Sequence, residues 1–210
     1  MYAGLSFSFA VLALLTVGGA QAQDGYFQIG YAANLMVGDS GLNISNDGAQ
    51  GGFYPNALGI GNLCVNVYTF DPSEEEVACC ACLVTPNGMN SLSARQDLIS
   101  NTLTASIPTT IVIKLLSSVP GTSTQGTYTI CDAGGTHQIF KPGMLAWGYT
   151  LEPAAIAGTF APVNVHYING TPSPSEVTDL TYVCQFIESQ GSGYGICASC
   201  GLGALGAASK

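Results

Sequence analysis

The chain has 210 residues, of which 47% are apolar and only 8% charged, with a net formal charge of −9. Its basic side chains, Arg95, Lys114, Lys141 and Lys210, are scattered, so no basic footprint exists to release counterions from phosphate. That argues against nucleic acid and anionic membrane surfaces as partners, and the apolar fraction argues against disorder.

The chain opens on an export signature. Phe7 to Val17 reads FSFAVLALLTV, an apolar run of signal-peptide length that is too short to span a bilayer. Gly18-Gly19 break it, and Ala20-Gln21-Ala22 offers the small-x-small pattern of a cleavage site. Met1 to Ser6 lacks Lys and Arg, a departure from the usual leader; the alternative is a short buried helix. The reading is a signal peptide over 1–22 and a single secreted β-rich domain over 23–210. No later segment is long and apolar enough for a transmembrane anchor, so the expected location is secreted or at the extracellular cell surface.

Tyr26 to Val37 begins with alternation, Phe27, Ile29 and Tyr31 against Tyr26 and Gln28, which predicts a first strand. Gly38 to Gly61 is dense in turn formers and reads as loop, with a short strand at Leu42 to Ser45. Leu63 to Phe70 and Val77 to Val84 form the strongest hairpin, joined around Asp71-Pro72-Ser73. With Thr69 opposite Val77, Cys64 would face Cys82, close enough for a bridge in that register alone. Pro86-Asn87-Gly88 predicts a turn, and Leu92 to Ser100 a helical turn. Strands are expected at Thr109 to Leu116, Gly126 to Cys131, Met144 to Leu151 and Phe160 to Ile168. Ser173-Pro174-Ser175-Glu176 has a capping-box layout. The apolar stripe Val177, Leu180, Cys184 and Ile187 then predicts one helix, ended by Gly191. Many short strands and one late helix predict an antiparallel β-sandwich-like domain, mainly β, cross-linked by disulfides.

All eight cysteines lie beyond the predicted cleavage point: Cys64, Cys79, Cys80, Cys82, Cys131, Cys184, Cys197 and Cys200. An even number in an exported chain reads first as disulfides, with 105 pairings open. Cys79-Cys80-x-Cys82 and Cys197-x-x-Cys200 also carry zinc-knuckle spacing, but neighbouring strand residues point to opposite faces and could not share one ion without a bulge. A redox-active CxxC is the remaining alternative.

No catalytic constellation emerges. His137 and His166 are the only histidines, and no G-x-S-x-G elbow accompanies them. Asp71, Glu74, Glu75 and Glu76 read as a solvated turn, with weak calcium binding the other option. Gly201 to Gly206 matches GxGxxG without room for the helix that motif requires. Asn43-Ile-Ser45 and Asn169-Gly-Thr171 are sequons, common by chance. Trp147 with Tyr149 suggests either a core tryptophan, the commoner case, or a sugar-stacking platform.

The segments Cys64-Val-Asn-Val-Tyr, Cys79-Cys80-Ala-Cys82-Leu-Val-Thr-Pro-Asn-Gly, Arg95-Gln-Asp-Leu-Ile-Ser and Gly-Ile-Cys197-Ala-Ser-Cys200 together resemble a group of uncharacterised secreted bacterial proteins. The resemblance implies export and shared cysteines and carries no activity. The functional expectation is a non-enzymatic extracellular structural or surface-interaction protein, such as an adhesin-like module or assembly subunit. Self-association is expected through the N-terminal strand, Tyr26 to Tyr31. The alternatives are a secreted hydrolase acting on glycans and a small-ligand or metal-binding protein; no catalytic, cofactor or metal residue is assigned.

Overall fold

A computed structural model describes residues 25–52, 58–136 and 138–198. The predicted leader, His137, Cys200 and the 201–206 glycine motif lie outside the described residues.

The first sheet holds β1 (Phe27–Ala32), β3 (Leu63–Phe70), β4 (Glu76–Val84), β6 (Ile111–Ser118) and β11 (Ile168–Asn169), in the order β11-β1-β6-β3-β4. The second holds β2 (Gly41–Asn46), β5 (Met89–Ser93), β9 (Met144–Pro153) and β10 (Phe160–His166), in the order β10-β9-β2-β5. A small ribbon pairs β7 (Gly121–Thr122) with β8 (Tyr128–Ile130). Every pairing of named strands is antiparallel. Pro162 lies in β10, at the sheet edge, where a missing N–H interrupts no interior ladder.

The two sheets pack face to face in a sandwich-like arrangement. Leu42, Ile44 and Met144 of the second sheet share a core with Val65, Val67 and Ile113 of the first. Helix α1 (Pro174–Ser189) covers the other face of the five-stranded sheet, placing Leu180, Cys184 and Ile187 against Phe27, Tyr68, Cys79 and Leu116. Ser173 caps it, its Oγ accepting from the Glu176 N–H at 3.1 Å. The five-stranded sheet is therefore the middle of three layers. That position explains why β4 is buried at every residue, whereas alternation is the rule for a half-exposed strand.

Polar bonds stitch the sandwich together. The Gln28 amide donates to the Met144 carbonyl at 2.8 Å and accepts from the Ala146 N–H at 3.0 Å, joining β1 to β9. Thr150 Oγ1 accepts from the Ala33 N–H at 2.8 Å.

One expectation is corrected. The predicted pairing of the hairpin holds at its loop end, where Phe70 faces Glu76. A bulge between Thr69 and Phe70 then shifts the register, so Thr69 faces Ala78, Val65 faces Cys82 and Cys64 faces Leu83. One extra residue on β4 sends every later side chain to the opposite face, which removes the Cys64–Cys82 bridge. The helical turn expected within Leu92 to Ser100 is present, as a single π-turn over Ala94–Leu98 closed by the Ile99 N–H on the Ala94 carbonyl at 3.0 Å.

Candidate functional site

The cysteines form the framework. Cys64 pairs with Cys131, Cys79 with Cys184 and Cys80 with Cys197, at Cα separations of 5.4, 5.8 and 5.4 Å. No cysteine among the described residues is free, and Cys82 is likewise disulfide-bonded. The adjacent Cys79 and Cys80 leave β4 on opposite faces: one reaches the helix side, the other the core between the sheets. Strand geometry demands this divergence. Zinc-knuckle and redox readings lose their thiols, because Cys79 is bonded to Cys184 of α1 and Cys80 to Cys197. Beside the Cys79–Cys184 bridge, Glu76 brings a carboxylate within 4.8 Å of both sulfurs, but disulfide sulfur is no thiolate ligand.

The outer face of the four-stranded sheet carries the exposed aromatics. Trp147 is 39% and Tyr149 42% exposed, two residues apart on β9 and so on one face. The expected core tryptophan is thus corrected: Gly148 and Thr150 take the inward positions of β9. Trp147 stands in register with Asn43 on β2 and His166 on β10, and Tyr149 with Gly41 and Asn164. A Cβ on Gly41 would lie 2.4 Å from the Tyr149 ring, so glycine there lets the ring lie across the neighbouring strand. Asn43 Oδ1 accepts from Ser91 Oγ at 2.7 Å, which orients the amide beside the indole. No carboxylate, lysine or arginine stands in register with either ring. The face offers aromatic surface framed by the hydrogen-bonding groups of Asn43, Asn164 and His166.

The acids separate into different environments. Asp71 organises the hairpin loop, its Oδ1 accepting from the Ser73 and Glu75 N–H groups at 2.8 and 3.0 Å. Glu74 occupies the left-handed region with φ 68°. Glu76 departs from the solvated-turn expectation: it is the first residue of β4, is 7% exposed, and burial pushes its carboxyl up to about 9. A second acid is invisible in local sequence. Desolvation, the Asp132 charge and a hydrogen bond to Asp132 push Glu188 up to about 7, beside a cleft of about 710 Å³. Only the helix period hints at it, because Glu188 falls one turn after the buried Cys184.

The N-terminal strand is hydrogen-bonded on both sides within the chain, to β6 and to the two-residue β11. Among the described residues no helix is long and apolar enough to cross a membrane.

Fold and site together define a disulfide-cross-linked antiparallel sandwich with an open aromatic sheet face. Comparison with protein-family models, curated proteins and solved structures found no match.

Proposed function

We propose that this protein is a non-enzymatic, exported surface-interaction module that holds neutral glycan chains against the outer face of its four-stranded sheet. The observation that carries the reading is the exposure of Trp147 and Tyr149 side by side, flanked by Asn43, Asn164 and His166 and by no Asp, Glu, Lys or Arg in register. Pyranose rings present apolar C–H faces that stack on aromatic rings, and equatorial hydroxyls that bond neutral amides. No lysine or arginine stands in register with either ring, and the chain's net charge is −9, which together favour a neutral polymer over an anionic one. Disulfide bonding supports export into an oxidising compartment.

The test is retention of the protein on insoluble neutral polysaccharides and on a glycan array, with Trp147→Ala and Tyr149→Ala as comparators. Binding to at least one neutral glycan is expected, weakened roughly tenfold or more, the equivalent of about 1.4 kcal/mol, by either change. Absence of any glycan bound, or equal binding by the double variant, ends this reading.

A glycan hydrolase is the second reading, favoured by the Asp132–Glu188 pair beside its cleft, since an acid held near neutrality can serve as a proton donor. Release of reducing ends from a bound glycan, abolished by Glu188→Gln, would replace the first reading with this one.

A further inference from the structure

A cleft of about 520 Å³ opens between β6, the turn joining β3 to β4, and the first half of α1. Five carboxylates line it: Asp71 and Glu74 from the turn, Glu76 from β4, Glu176 and Asp179 from the helix. Phe70, Val112, Leu180 and Val183 supply apolar wall between them. Glu76 is the deeply buried member, and neither of its carboxyl oxygens has a hydrogen-bond partner among the described residues. A buried polar group without a partner costs about 1–3 kcal/mol, so a ligand that supplied one would recover part of that cost.

The cleft already holds one ammonium. Lys114 Nζ lies 2.5 Å from Glu176 Oε1 and 4.4 Å from the Phe70 ring centroid. Glu76 keeps its proton at neutral pH, so one cation stands against the four acids Asp71, Glu74, Glu176 and Asp179. That still leaves an excess of negative charge beside the apolar wall, and an ammonium seated on Glu76 would draw its proton off. A bare metal ion fits poorly. No three of these carboxylates form a group with oxygens within 4.8 Å of one another among the described residues, and an ion would leave the apolar walls uncovered.

We propose that this cleft binds a primary alkylammonium group, its methylene stem against Phe70, Val112 and Val183 and its head on Glu76. Long cationic side chains and free amines share this division into apolar stem and charged tip, and the cleft presents the complementary division. The site lies on the helix side of the middle sheet, away from the aromatic face, and stands or falls separately from glycan binding.

The test is calorimetric titration of the mature protein with 1,5-diaminopentane, with Nα-acetyl-lysine N-methylamide, and with 1-pentanol as an uncharged probe of the same length. At least one amine is expected to bind about tenfold more tightly than the alcohol, and Glu76→Gln to weaken that amine about tenfold. Binding of the diamine alone identifies a free amine as the ligand; binding of the lysine amide identifies a partner's side chain. Gln matches Glu in size and tolerates burial better, and Asp179→Asn gives a second variant that must weaken amine binding in the same direction. The proposal is overturned if neither amine binds, if pentanol binds as well as the amines, or if both variants bind amine like the wild type.

Discussion

Glu76 is a carboxyl placed where water does not reach, and its proton ties stability to pH. Its folded value of about 9 exceeds the ordinary 4.5, so between those limits the folded chain holds a proton that the unfolded chain releases. Stability therefore falls as pH rises through that window, by up to about 1.4 kcal/mol per pH unit for one proton. Urea unfolding of wild type from pH 5 to pH 9 should show the decline, and Glu76→Gln should be flatter across the same range. Glu188 adds a smaller decline that ends near pH 7, smaller because its side chain is partly exposed to solvent. At Trp147 the ring serves the face more than the core. Trp147 is 39% exposed and rests the remainder of its ring on the sheet, so Trp147→Ala should cost about 1–2 kcal/mol in unfolding while leaving the fold intact and removing glycan retention. Alternation along β9 made it legible that Trp147 and Tyr149 share a face. Which face would be covered was not legible, because that depends on the distant strands that pack on it.

At the scale of elements, α1 and β4 depend on each other. The Cys79–Cys184 bridge closes a span of 105 residues and anchors the buried stripe of the helix to the middle sheet. Replacing both cysteines with Ala should cost about 2–5 kcal/mol in denaturant unfolding, with the helix exchanging its amide protons faster than the sheets. Gln28→Leu tests the joint between sheets. It leaves the Met144 carbonyl and the Ala146 N–H without their amide partner, for an expected loss of about 1–3 kcal/mol in the same assay. The helix was legible because cap, stripe and terminator agree at short range. The β3–β4 hairpin was legible as two strands, whereas its register was not. A single bulge at Thr69–Phe70 decides which face every later cysteine of β4 occupies, and no turn residue marks it. β5 and β11 carry little strand signal for a related reason: Met89–Ser93 and Ile168–Asn169 are short, with polar residues between their apolar ones, and become strands because a neighbour's edge receives them.

For the whole molecule, β class and cross-linking were readable from composition, even cysteine number and spaced apolar runs. Cysteine connectivity was not, since it requires three-dimensional proximity of residues as far apart as Cys80 and Cys197. Non-reducing peptide mapping should recover the Cys64–Cys131, Cys79–Cys184 and Cys80–Cys197 linkages. The absence of Asp, Glu, Lys or Arg from the register neighbours of Trp147 and Tyr149 gives a further expectation: affinity for a neutral glycan should change less than about twofold between 0.05 and 0.5 M salt, because the ligand carries no charge to be screened.

The divergence of Cys79 and Cys80 from neighbouring positions of one strand has a mechanical consequence. Tension applied between Gly25 and Ala198 would run along the backbone to Cys80 and cross directly to Cys197. The chain from Ala81 to Ile196, helix included, then lies in a covalent loop that carries no load. In a pulling experiment that stretch would stay shielded until a reductant opened the crossing.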